Sequence, residues 1–217
     1  MPKFLANTNR KKNKHPASIG NRDCHSLSAL NQLICGVIGL LLTIYGTFIQ
    51  AHTIKISDFL ATGAIELQSL NVNFQIAAVL LTGCLGGKNA GAISQVAYLS
   101  IGLFFLPVFQ QGGTIDYIQQ PSFGYLIGFI PGAWLCGNIA YSTVAKLETL
   151  AFSAICGLVV VHLCGIFYIL GRSLLSYAPA NAGQLILQYS IAPLPGQLII
   201  VCSVATIAFF MRRIMFN

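Results

Sequence analysis

Apolar residues in this chain of 217 residues come in long unbroken runs, separated by short polar stretches rich in glycine and proline. A bilayer core of about 30 Å needs roughly 20 apolar residues per helical crossing. Runs of that kind lie at Leu30–Gln50, Asn73–Gly86, Ala90–Leu106, Phe123–Tyr141, Leu150–Leu170 and Gly196–Met211. The pattern predicts an all-α polytopic membrane protein, a compact bundle of six transmembrane helices. The second and sixth runs are the shortest. Between the first two, Ala51–Val72 has the amphipathic mix of a helix or loop lying across a membrane face.

Composition agrees: 55% of residues are hydrophobic and only 8% are charged, whereas soluble domains carry about 25% charged residues. No room is left for a separate soluble enzyme domain. Residues 1–26 hold half of all Lys and Arg and read as a disordered basic cytoplasmic tail, with 27–217 as a single membrane domain. A cleaved leader is disfavoured, because the apolar run Leu33–Ile49 is long for a signal core and lacks a small-residue cleavage site. With six crossings and a cytoplasmic N-terminus, ten cations fall inside and only Lys55 and Arg172 outside. That distribution obeys the positive-inside rule and puts both termini in the cytoplasm of a plasma-membrane protein. The formal charge of +7 is thereby assigned to topology, and no nucleic-acid partner is implied.

The block Val79–Phe129 departs from bland membrane sequence. Gly83, Gly87 and Gly91 recur every fourth residue, a spacing that lets two helix backbones approach closely. Ser94, Gln95 and Tyr98 follow at helical spacing and can share one flank. Polar groups inside a membrane need a partner or a cavity. Asn73 and Gln75 before the second run, Gln120, Ser122 and Tyr125 at the start of the fourth, and Gln197 at the start of the sixth add further hydrogen-bonding groups. Together they outline a pocket opening outward. Pro107, the Gln110–Gly113 turn, Pro121 and the segment IAPLPGQL at Ile191–Leu198 make irregular loops suited to closing over a small molecule. The seven cysteines show no CxxC spacing, so no metal site or disulfide framework is implied. His162 with Cys164 reads as packing. The spans contain no carboxylate pair, phosphate loop or acidic proton relay, so neither catalytic residues nor a cofactor are expected, nor energy coupling by this chain itself.

Several of these elements resemble the BioY family, the biotin-specific substrate-binding subunits of energy-coupling-factor transporters. They are VLLTG at Val79–Gly83, GAISQVAYLSIGL at Gly91–Leu103, LPVF at Leu106–Phe109, a Gly-Gly turn, PSFGYLIGF at Pro121–Phe129 and the Pro-Gly before the sixth run. The resemblance implies capture of biotin from outside and release inward, with a transmembrane coupling subunit and two cytoplasmic ATPases as partners. It also implies a docking face on the first helix marked by small residues four apart, for which Cys35 and Gly39 are the nearest pair. The sequence departs from the family where an acid after the Pro-Gly and a lysine three residues on are usual, since Gln197 and Ile200 stand there. Gln110 and Gln111 likewise replace basic residues common after LPVF. Arg172 or Lys55 is then left to face a ligand carboxylate. Two alternatives remain open: another small vitamin or a biotin precursor on the same fold, and an intramembrane serine protease using Ser94 and His162.

Overall fold

The computed structural model describes residues 29–54, 67–110, 112–142, 146–175 and 182–215. The expected tail over 1–26, Lys55 and Gln111 lie outside the described residues. Among the described residues the protein is all-α apart from one small hairpin. Helix α1 (Ala29–Phe48) leads into strands β1 (Gln50–Ile54) and β2 (Leu67–Asn73), which pair antiparallel with an irregularity between Gln50 and His52. Helix α2 (Gln75–Phe104) is followed by a 3-10 turn (Ile115–Gln119), α3 (Phe123–Ser142) and α4 (Leu147–Leu175). A short helix α5 (Ala182–Ile186) runs through a π-helical turn (Leu187–Ile191) into α6 (Leu194–Met215). Among the described residues five helical stretches are long and apolar enough to cross a membrane, the last being Ala182–Met215 taken as a whole.

The strands correct the expectation of a helix or loop over Ala51–Val72 in its described parts. There the polar backbone is satisfied between strands, and Phe74 N extends the ladder by donating to Ile49 O at 3.0 Å.

α2 is not one straight rod. Gly87 has φ 77 and ψ −177, a region that only glycine visits freely, and the chain reverses there. A Cβ on Gly91 would stand 3.2 Å from Gly83 Cα, whereas two residues eight apart in a continuous helix are about 12 Å apart along the axis. The glycine spacing read from sequence thus serves a backbone-to-backbone contact, and the same two glycines receive Ala133 O of α3. The reversal leaves helix-end carbonyls open, and one finds a donor across the bundle: Tyr141 Oη of α3 bonds Leu85 O at 2.5 Å. Arg212 of α6 lies over the Tyr141 ring at 4.1 Å and donates Nη1 to Ala140 O at 2.7 Å. Thus α2, α3 and α6 are tied at the Gly87 end.

Small residues also seat α1. Gly36, Gly39, Thr43, Gly46 and Thr47 form its buried face, and a Cβ on Gly39 would collide with Thr82 of α2. Cys35 lies along the same contact, its Cβ 2.9 Å from where a Cβ on Gly86 would stand. The pair Cys35 and Gly39, expected as a docking face, lies on the side of α1 that packs onto α2. The outer face of α1 is instead apolar and exposed, from Leu30 through Leu41 to Tyr45.

Cys84 of α2, Cys136 of α3 and Ser153 of α4 meet in the core, with 3.5 Å between the two sulfurs. All cysteines among the described residues are free thiols.

Candidate ligand site

At the end of the bundle opposite Gly87, polar side chains gather in two clusters joined by aromatic rings. The first centres on Tyr98, which is fully buried. Gln75 Nε2 donates to Tyr98 Oη at 3.0 Å. Thr47 Oγ1 lies 3.1 Å away and Val108 O 3.3 Å away. Because the Thr47 hydroxyl already donates to Thr43 O at 2.8 Å, the single Tyr98 proton is shared between Thr47 Oγ1 and Val108 O. One hydroxyl thus holds α1, the start of α2 and the loop after α2. Asn73 ends β2 two residues before Gln75 and is half-buried.

One turn further in, Ser94 donates to Gly91 O at 2.8 Å, and Thr43 donates to Gly39 O at 2.7 Å. Both hydroxyls are left as acceptors, and Gln95 Nε2 donates to both, at 3.1 Å and 3.2 Å. This fixes the orientation of the Gln95 amide. Its carbonyl Oε1 is buried with no hydrogen-bond partner among the described residues.

The second cluster joins α3, α4, the π turn and α6. Tyr125 Oη and Ser190 Oγ are 2.6 Å apart, Ser190 Oγ and His162 Nδ1 3.3 Å, and His162 Nε2 and Gln197 Oε1 2.6 Å. Gln197 Oε1 can only accept, so Nε2 of His162 carries the proton and Nδ1 accepts from Ser190. The chain runs Tyr125 to Ser190 to His162 to Gln197, leaving the Gln197 amide hydrogens for another acceptor. Gly165 makes room for it: a Cβ there would enter the Tyr125 ring. Ser190 occupies the π turn, an irregularity that often marks functional positions.

Between the clusters runs an aromatic wall. Ring centroids step from Tyr98 to Phe109 (5.4 Å), Tyr117 (4.7 Å), Phe123 (6.5 Å) and Tyr168 (5.8 Å). A side chain at Gly102 would exclude the Phe109 ring. Tyr117 Oη pairs with Ser122 Oγ at 3.1 Å. Burial pushes the Tyr117 phenol above its usual range, the Ser122 hydrogen bond opposes this, and the neighbouring Tyr189 phenol adds to it. Tyr189 in turn packs on Tyr125, 6.2 Å between centroids, so the wall reaches both clusters. Tyr168 Oη donates to Ile118 O, pinning the 3-10 turn to α4.

The structure therefore brings Gln75, Ser94 and Tyr98 into one cluster, Tyr125 and Gln197 into the other, and Ser122 onto the wall between. Gln120 is exposed, its backbone bonding Tyr117 O and Phe123 N, and its side chain joins neither cluster. Thr43, Thr47 and Ser190 are partners that sequence reading had not placed, and His162, read there as packing, joins them. Among them, Thr43 and Thr47 could have been found from their spacing of four along the small-residue face of α1. Ser94 and His162, the pair a serine protease would need, belong to separate networks. No group of metal-ligating side chains occurs among the described residues.

His162→Leu is expected to lower stability by about 1–3 kcal/mol, because the Ser190 hydroxyl loses its acceptor and the carbonyl of Gln197 its donor in a largely buried site. Thermal unfolding in detergent measures this, and an unchanged midpoint would show the chain of bonds to be idle.

The BioY family profile matches residues 54–217. An uncharacterised 21.2 kDa protein from the psbX-ycf33 intergenic region of Cyanophora paradoxa is 29% identical over 185 residues, covering 84% of this chain and 95% of that one. A protein of Lysinibacillus sphaericus named as a probable biotin transporter BioY is 40% identical over 106 residues, 48% of this chain and 54% of its own length. The biotin transporter BioY of Thermotoga maritima is 32% identical over 108 residues, 48% of this chain and 62% of its own. These two matches span little more than half of those proteins. In three dimensions the chain shares its fold with the crystal structure of the S-component for biotin from an ECF-type ABC transporter. The TM-score is 0.64 and the identity 20%, over 87% of this chain and 95% of that one. By the extent of the family match, this chain is a member of the BioY family.

Proposed function

We propose that this chain is the membrane-embedded, biotin-binding subunit of a vitamin uptake system, taking biotin from outside and releasing it to the cytoplasm. The observation that carries the reading is the pair of buried polar clusters flanking an aromatic wall, in a family whose named relatives are biotin transporters. A bicyclic ligand with a polar urea edge and apolar flanks suits such a site: aromatic rings cover the flanks while a few placed polar groups fix orientation. Gln75 and Tyr98 hold one side, with Asn73 and Ser94 beside them. Tyr125, Ser122 and Gln197 hold the other. Gln95 Oε1, a buried acceptor without a donor, fits a urea N–H.

Counting α2 as two crossings because it reverses at Gly87 gives six crossings with α1, α3, α4 and α6. Both termini then lie on the cytoplasmic side, together with Lys88, Lys146, Arg212 and Arg213, as the positive-inside rule asks. Transport in this reading needs a transmembrane coupling subunit and two cytoplasmic ATPases, and the subunit is a carrier, not an enzyme. The exposed apolar face of α1 is the surface offered to the coupling subunit in place of Cys35 and Gly39.

The test is twofold. Purified protein is titrated with biotin against a panel of other vitamins and biotin precursors, and labelled biotin uptake is measured in transporter-deficient cells with and without coupling subunits. Saturable biotin binding and partner-dependent uptake are expected; absence of biotin binding overturns the reading.

A further inference from the structure

Arg172 stands in the last turn of α4, and its Nη1 is buried with no hydrogen-bond partner among the described residues. A cation near a helix C-terminus is favoured by the helix dipole, and an exposed side chain would serve that purpose. Burying one guanidinium nitrogen unpaired serves it no better and adds a desolvation cost. Such a group is stabilised by an anion, and none of the described residues supplies one to it.

Its place in the fold says where that anion comes from. Gly165, Tyr168 and Arg172 follow at spacings of three and four, so they share one face of α4. Gly165 receives the Tyr125 ring, and Tyr168 lies against Gly124 and ends the aromatic wall. Arg172 is therefore the next residue outward on the face that borders the candidate site, about 6 Å along the helix beyond Tyr168. Ten residues separate it from His162, about 15 Å of helix, so an elongated ligand seated by its head near the second cluster extends its tail along this face.

We propose that Arg172 is the tail subsite of the pocket: it receives a free carboxylate and so restricts the ligand to heterocyclic acids, excluding their amides and esters. Its planar guanidinium matches a carboxylate in bidentate fashion, which a lysine does not. Among the other described cations, Lys88 lies over Trp134 at the Gly87 end, 5.9 Å from the ring centroid, and Arg212 over Tyr141. This proposal rests on the biotin-binding reading and sharpens it.

The experiment titrates the purified full chain and its R172Q and R172K forms with biotin, biotin amide and biotin methyl ester. Wild type is expected to bind the acid at least tenfold more tightly than the amide or ester. R172Q is expected to bind all three with the affinity that wild type shows for the amide, and that retained binding shows it to be folded. R172K is expected to recover only part of the preference. If wild type binds acid and amide equally, or R172Q keeps the preference, the tail subsite is overturned while biotin binding stands. If wild type binds none of the three, both readings fall.

Discussion

Tyr98→Phe is expected to leave the protein folded and to weaken biotin binding by roughly ten- to a hundredfold, the consequence of about 1–3 kcal/mol from buried groups left unpaired. The hydroxyl accepts from Gln75 Nε2 and shares its proton between Thr47 Oγ1 and Val108 O. Its removal costs the loop after α2 its anchor and leaves the Gln75 amide without an acceptor at the edge of the site. The ring stays, so its contact with Phe109 at 5.4 Å persists. Tyr98→Ala is a poorer probe: emptying a fully buried aromatic position costs about 3–5 kcal/mol, and loss of binding would then be confounded with loss of the fold. Calorimetric titration with a parallel unfolding scan separates the two. A Tyr98→Phe protein that melts as wild type and binds biotin equally well would remove Tyr98 from the site. If Gln75 acts through Tyr98, the Tyr98→Phe, Gln75→Leu pair should also weaken binding by less than the sum of the single effects.

The bundle was legible in the sequence because lipid leaves few options: backbone in hydrocarbon must bond internally, so each long apolar run is helical. The run boundaries at Phe123 and Met211 fall within a few residues of the ends of α3 and α6. The approach to α6 was missed, since Ala182–Ile191 mixes apolar residues with Gln184, Gln188 and Ser190 and reads as a loop until its neighbours bury one side. The strands were missed because LQSLNVN offers too short an alternation to distinguish from an amphipathic turn.

For the site, residue types pointed to the right elements but not to the partners. Tyr98 and Gln75 could be named from sequence, yet the link between them depends on the reversal at Gly87, which brings residues 23 apart within hydrogen-bond distance. His162 looked like a packing residue because neighbours two apart on a helix face different ways. Its partners come from the π turn and α6, 28 and 35 residues away. The departure at Gln197 also changes meaning. A glutamine there is no vacant version of an acid: its carbonyl accepts from His162 Nε2 and closes the hydrogen-bonded chain.

Gly87→Ala is expected to lower unfolding stability by about 1–3 kcal/mol, the usual cost of holding a non-glycine residue in this backbone region. Steric overlap is not the cause, since a Cβ at this position would meet the Tyr141 ring at an ordinary 3.5 Å. The sign of the effect decides between two architectures. Were residues 75–104 one continuous helix, Gly87 would be an interior helical glycine, and alanine would stabilise it by about 0.5–1 kcal/mol. Gly171 provides the internal control, because it lies within α4 with open space around its Cβ position; Gly171→Ala should be neutral or slightly stabilising. Thermal unfolding of both variants in the same detergent measures the contrast. A midpoint that falls for Gly87→Ala and holds or rises for Gly171→Ala supports the reversal, and with it the six-crossing count that sets Lys88 and Arg212 on one side of the membrane. A rise at Gly87 would straighten α2, pull Gln75 away from Tyr98, and dismantle the first cluster of the site.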